Sequence, residues 1–444
     1  MDMATIGLIA CVAVILLLAI RVPIGFAIGS VAVIALFMVF AMRTGTFMPE
    51  RAIGRTLSIV FSNGFDLIHS YNLSMIPLFI ALGQVAFRAN ITTEIYEAAR
   101  VCLSRLPGGV AIASIAGCGG FSAISGSSIA CASTMGRICT PEMLKLNYDP
   151  RLATACVAAG GTLGALIPPS ILFIVYAIFT ETSVGDLFLA GIFPGLLSML
   201  GYTTVVYIWV KRNPSIAPAS DERFTNTQKT AALFRAWPAM LLFTVVVGGI
   251  YGGIFTATEA AAISLFTATL IGMARKLIKL SDIIPMIRDI ASTSCVIFFI
   301  AACAKVFITV VALTGLSNSM VSALGEANIG PWGFMFMVCV IYLMLGMFLD
   351  PVGIVVLTLP LMIPMVESYG FDLIWFGVVI VKLLEIGLIT PPVGLNVFVL
   401  AAAIDGKVPI GQIFSGLWRF LISDLIVLML LIGFPIISLF LPGS

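Results

Sequence analysis

Predominantly apolar runs, each close to the length that spans a bilayer, follow one another through most of this 444-residue chain. A helix needs about 20 apolar residues to cross the hydrocarbon core. Ten stretches are candidate spans: 4–20, 24–42, 73–87, 185–210, 237–255, 258–274, 291–313, 332–349, 372–389 and 417–441. Only 10% of the residues are charged and 60% are hydrophobic, whereas a soluble domain carries about 25% charge to cover its surface. Such a surface has nowhere to face but lipid, so the chain reads as an all-α polytopic membrane protein. After the first run comes Arg21-Val22-Pro23 and a second apolar run, not a small-residue cleavage site. The first run is therefore read as a retained helix and not as a signal peptide.

Composition also removes whole classes of function. A net charge of +2 is too small to imply nucleic-acid binding. Nine cysteines sit singly, without C-x-x-C spacing, so neither a zinc site nor a redox pair is signalled. His69 is the single histidine, which rules out multi-histidine metal chemistry. An intramembrane hydrolase would need a nucleophile beside a base, and neither G-x-S-x-G nor H-E-x-x-H occurs. A primary pump would need a phosphate-binding G-x-x-x-x-G-K-[ST] loop, and none is present.

The long polar segment, Lys211 to Arg235, carries Lys211, Arg212, Arg223, Lys229 and Arg235 against Asp221 and Glu222. The positive-inside rule places it in the cytoplasm, although Arg43, Arg51 and Arg55 also cluster after the second span. It splits the chain into nearly equal halves, and the halves match. At an offset of 223 residues Pro141 falls on Pro364, Asp149 on Asp372, Gly164 on Gly387, and Pro168-Pro169 on Pro391-Pro392. Leu106-Pro-Gly-Gly falls near Ile329-Gly-Pro-Trp, and with three inserted residues Gly185 and Phe188 match Gly411 and Phe414. Duplicated halves with interrupted helices at matching positions point to a transporter whose site lies near the bilayer midplane. A channel needs no such paired gates.

The interruptions are the informative places, because backbone that leaves helical pairing must line a cavity or be buried in protein. Four are expected, at 108–137, 151–180, 350–367 and 390–404. The small polar string Gly119 to Ala130 fits the tip of a re-entrant hairpin, and Ser127 maps onto Asp350 in a second tip, Gly346 to Gly353. Hydroxyls and freed carbonyls are hard oxygen donors for a small cation. The first site is assigned to Ser122, Ser125, Gly126 and Ser127 with Gly161, Thr162 and Gly164, and the second to Phe348 and Asp350 with Gly387 and Thr390. Ser127 to Pro168 and Asp350 to Pro391 each span 41 residues, so equivalent tips are expected to meet equivalent breaks. The returning half-helix offers N–H groups to an anion, and Ser128, Pro168 and Asn396 are assigned to the substrate. Thr256-x-x-Glu259 reads as a capping box. Lys382 and Glu385 are placed to pair on one helical face, and charges there are functional candidates; Lys305 is open to either reading.

Phe121–Ala132, Gly160–Tyr176 (GGTLGALIPPSILFIVY), Gly253–Ala262 (GIFTATEAAA), Asp350–Pro364 and Gly387–Val399 (GLITPPVGLNVFV) resemble the large membrane subunit of the tripartite ATP-independent periplasmic (TRAP) transporters, the DctM-like family. The resemblance covers nearly the whole chain. It implies an elevator-type carrier in which scaffold helices surround a mobile body of two hairpins and two broken helices. On that scheme residues 1–105 are N-terminal scaffold, 106–184 a first transport repeat, 185–328 scaffold and connecting helices, 329–410 a second repeat and 411–444 a C-terminal helix. It further implies Na⁺-coupled uptake of organic acids across the bacterial inner membrane. The implied partners are a periplasmic substrate-binding protein and a small four-helix membrane subunit, expected as a separate polypeptide. The alternative is a self-sufficient ion-coupled organic-anion carrier of the same superfamily.

Overall fold

A computed structural model describes residues 3–42, 48–218 and 224–443; Arg43, Asp221, Glu222 and Arg223 of the charged segments lie outside the described residues. The described residues are helical throughout, without a strand. Six helices are long and apolar enough to cross a membrane, and two bent pairs bring the number to eight. Pro49–Ile68 with Tyr71–Arg88 bends by 57°, and Asn226–Arg235 with Trp237–Tyr251 by 48°. Four shorter apolar helices, Met3–Ala19, Gly109–Ser125, Ile171–Thr180 and Pro331–Gly346, accompany them. The chain is a multi-pass membrane protein.

Most expected runs appear as helices, with two revealing shifts. The run expected at 291–313 is part of a 35-residue helix, Leu280–Thr314, about 50 Å long at 1.5 Å per residue and so longer than the hydrocarbon core. Its first turns carry Asp282, Arg288 and Asp289, which hid them from a hydropathy reading. The run expected at 417–441 is the helix Ile410–Gly433, followed by a break before Pro435. Proline has no N–H to continue the ladder.

Two helical hairpins and two broken helices occupy the interrupted stretches. The first hairpin is Gly109–Ser125 and Ser128–Lys145, turned at Gly126 and Ser127. The second is Pro331–Gly346 and Pro351–Ser368, turned through Met347 to Asp350. The returning helix of each is capped at the same place. Ser127 Oγ accepts from Ala130 N at 3.3 Å, and Asp350 Oδ2 accepts from Val352 N at 3.1 Å and Gly353 N at 3.4 Å. Asp149 and Asp372 likewise cap Pro150–Gly161 and Leu373–Ile389, each accepting an N–H two residues on at 2.8 Å. Side-chain oxygens at this position satisfy otherwise orphaned donors.

The stretch 350–367, expected to be broken, is instead one continuous helix despite Pro360 and Pro364. Pro364 leaves the carbonyl of Pro360 without its ladder donor, and Ser317 Oγ from a neighbouring helix supplies one at 3.1 Å. Thr256 and Glu259 form the expected capping box, with Thr256 N donating to Glu259 Oε2 at 2.8 Å.

The breaks themselves differ in cover. Pro150–Gly161 runs through a short turn, Thr162–Ala165, past Pro168-Pro169 and into Ile171–Thr180; Pro168, Pro169 and Ser170 are buried. Leu373–Ile389 resumes at Leu395–Ala403, and there Pro391 and Pro392 are exposed.

Candidate functional site

A cavity of about 1060 Å³ opens between the two hairpin tips and the helices Ile24–Met42 and Leu280–Thr314. One wall carries Gly126, Ser127 and Ser128 of the first tip with Asp350, Pro351 and Glu385 of the second half. The facing wall comes from Pro23–Phe26 and from Ser292, Thr293 and Cys295 on Leu280–Thr314. The lining bears the carboxylates Asp350 and Glu385 and, among the described residues, no Lys, Arg or His.

The first tip lies directly on the first break. Gly126 has φ +62, and Ile171 N donates to its carbonyl at 3.1 Å. A Cβ at Gly126 would sit 2.5 Å from Pro169 O, and one at Gly164 would sit 2.7 Å from both Ser127 C and Ser128 N. Both glycines are therefore demanded by backbone meeting backbone.

The second tip does not repeat this geometry, contrary to the expected equivalence. A Cβ at Gly387 would meet Gly346, 2.6 Å from its Cα. The close approach thus comes from the end of the outgoing helix, one turn before Asp350. Bulk accounts for the difference: the position matching Gly126 at the 223-residue offset is Leu349, and no leucine can approach a backbone as Gly126 does. Phe348, assigned to the second site, turns its side chain outward and is 57% exposed.

The remaining assigned residues divide by what their polar atoms already do. Ser122 sits a turn below the tip and donates to Cys118 O at 2.6 Å, away from the cavity lining. Thr390 Oγ1 donates to Ile386 O at 2.6 Å. Gly161 packs against Ala132, and Pro168 is buried under the tip. Ser125 Oγ and both side-chain polar atoms of Asn396 are buried without a partner, and each such group costs on the order of 1–3 kcal/mol unless something is bound to it.

Lys382 and Glu385 do not pair with each other. Glu385 Oε1 accepts from Ser128 Oγ at 2.7 Å, tying the second broken helix to the first tip. Lys382 Nζ reaches the opposite way, to Asp424 Oδ1 at 2.5 Å and Ser198 Oγ at 3.0 Å. Tyr202 OH also donates to Asp424 Oδ1 at 2.6 Å and lies 2.7 Å from Thr162 Oγ1. Thr162, Ser198, Tyr202, Lys382 and Asp424 are all 1% exposed or less. Asp424 and Tyr202 are the residues that the sequence reading missed. Asp424 was findable as a lone carboxylate inside an apolar run; nothing in the sequence marked Tyr202.

A cavity lined by two hairpin tips between packed membrane helices fits a transporter, and the known proteins that this chain resembles are transport permeases rather than enzymes. The family model described as "Tripartite ATP-independent periplasmic transporter, DctM component" matches residues 11–437, and the chain belongs to that family. A "C4-dicarboxylate TRAP transporter large permease protein DctM" of Pseudomonas aeruginosa is 34% identical over 400 residues, 89% of this chain and 91% of that protein. An "Isethionate TRAP transporter permease protein DctMQ" of Oleidesulfovibrio alaskensis is 32% identical over 345 residues, covering 78% of this chain and 54% of that longer protein. Among solved structures, the YdaH transporter of Alcanivorax borkumensis shares the fold with a TM-score of 0.62 at 14% identity, over 87% of this chain and 90% of that one.

Proposed function

We propose that this chain is the substrate- and ion-translocating subunit of a Na⁺-coupled tripartite carrier that takes up organic acids across a bacterial inner membrane. The observation that carries the reading is the cavity lined jointly by both hairpin tips and by scaffold helices. A body made of the two hairpins and two broken helices, related as repeats, would slide against that scaffold and expose the cavity to either side in turn. Na⁺ would take the oxygen atoms around Ser125, Ser127, Gly161, Thr162 and Gly164 at the first break, and those around Asp350, Gly387 and Thr390 at the second. Unpartnered Ser125 supports the first assignment. With no basic side chain in the lining, the substrate's carboxylate would be held by the backbone N–H groups that open the helix at Ser128.

Substrate choice would rest largely with a periplasmic binding protein, in keeping with relatives named for a C4-dicarboxylate and for isethionate. The small membrane subunit would be a second chain; the isethionate relative, whose name joins M and Q, is the longer protein. A self-sufficient carrier is not favoured, since these relatives are named as components of TRAP transporters.

Uptake of a radiolabelled C4-dicarboxylate into proteoliposomes holding both membrane subunits, with Na⁺ and proton gradients set independently, tests the proposal. Uptake should require Na⁺ and the added binding protein. Full uptake driven by protons without Na⁺, or without the binding protein, would overturn it.

A further inference from the structure

The buried chain of polar groups that starts at Thr162 does not end at the first break. It runs through Tyr202 on the helix Val184–Arg212 to Asp424 on Ile410–Gly433, and from there to Lys382 on Leu373–Ile389. That last helix ends at the second break, where Gly387 and Thr390 lie. The turn at the first break and three helices, from both halves of the chain, are thus linked by contacts of 2.5–2.7 Å. Ser198, which also receives Lys382, is matched to Asp424 by the three-residue insertion that aligns Gly185 with Gly411.

Proton counting gives this chain a property that a static brace lacks. Thr162 Oγ1 lies 2.6 Å from Ala159 O and 2.7 Å from Tyr202 OH, and Tyr202 OH lies 2.6 Å from Asp424 Oδ1. Three short contacts share two hydroxyl hydrogens, one from Thr162 and one from Tyr202. With Asp424 ionised beside Lys382, one contact is without a hydrogen, so the chain has alternative settings. In one, Tyr202 donates to Asp424; in another it donates to Thr162 and leaves Asp424 Oδ1 to Lys382 alone. A cation drawing on the oxygens at Thr162 changes which setting is favoured, because it competes for their lone pairs.

We propose that Thr162, Tyr202, Asp424 and Lys382 form a relay that makes ion binding at one helix break strengthen ion binding at the other. Tyr202, Asp424 and Lys382 are positioning residues in this scheme, and it rests on the ion-coupled reading above. The low dielectric of the site favours such transmission, since hydrogen bonds there polarise one another and a lost partner is costly. A linkage of this kind operates in both directions, each ion strengthening the other by the same factor.

Tyr202→Phe deletes the hydroxyl at the centre of the relay and little else. Na⁺ titrations of uptake in proteoliposomes should be sigmoidal for the natural protein. In Tyr202→Phe they should become nearly hyperbolic, with half-saturating Na⁺ raised roughly 5-fold or more. Loss of packing alone would lower the maximal rate without changing the steepness. Should Tyr202→Phe fold poorly, Na⁺-dependent thermal stabilisation of the purified Lys382→Met/Asp424→Leu protein, which removes both charges together, reads the same linkage. A sigmoidal natural protein with unchanged steepness in the variants would overturn the relay while leaving ion coupling intact. A hyperbolic natural protein would also overturn the relay, and absence of any Na⁺ dependence would overturn the ion-coupled reading itself.

Discussion

Gly126→Leu should abolish uptake while the protein still folds. The residue holds φ +62, where a side chain costs about 1–2 kcal/mol, and its Cβ would stand 2.5 Å from Pro169 O. Neither strain can relax cheaply, because the obstructing atom is backbone under a buried Pro-Pro break. The tip must lift, which separates Ser127 from Gly164 and moves Ser128 away from Glu385. Displacing a functional group by about 1 Å can cost about 100-fold in rate, so uptake should fall by at least that factor. Gly54→Ala is the control, since a Cβ there meets nothing within 4 Å. Near-normal uptake by Gly126→Leu would show that the tip need not seat on the break.

Lys382→Met should destabilise the protein by about 3–5 kcal/mol, the usual cost of leaving a buried charge without its partner. Asp424 already has one oxygen, Oδ2, buried without a hydrogen bond, and Lys382 supplies its closest contact. The double variant Lys382→Met/Asp424→Leu should regain most of the loss, because an apolar pair of similar size fits such a site at little cost. Thermal unfolding in detergent, compared among the natural protein, the single variant and the double variant, measures both effects. A single variant as stable as the double would mean that Asp424 is neutral in the folded protein.

Much of this architecture is legible in the amino-acid sequence. Hydropathy located the spans because lipid-facing helices have little freedom in composition, and clusters of Gly, Pro and Ser marked both tips and both breaks because together they favour turns and interrupt helical pairing. The 41-residue spacing correctly paired the first tip with the first break. At the second it paired tip with break but missed the geometry, since Gly346 and not the residues beside Asp350 meets Gly387; spacing is blind to volume, and Leu349 cannot nest where Gly126 does. Lys382 and Glu385 were singled out, but helical periodicity sees only one helix. Their real partners, Asp424 and Ser128, come from elsewhere in the chain. Continuity through Pro360 and Pro364 was equally hidden, because the donor that repairs the ladder is Ser317, 43 positions away. What remained illegible in every case was tertiary: which side chain from a distant helix arrives to meet a local need.

The cavity as the transport path is open to a direct chemical test through Cys295. This thiol is exposed and lines the wall opposite the hairpin tips, whereas Cys118, Cys131, Cys139 and Cys156 are buried. A membrane-impermeant methanethiosulfonate should therefore modify Cys295 and block uptake, and the rate of modification should change when Na⁺ and substrate are added together. The Cys295→Ser protein should transport and should resist the reagent. Complete modification of Cys295 with uptake unimpaired would contradict the placement of the substrate path between the tips and Leu280–Thr314.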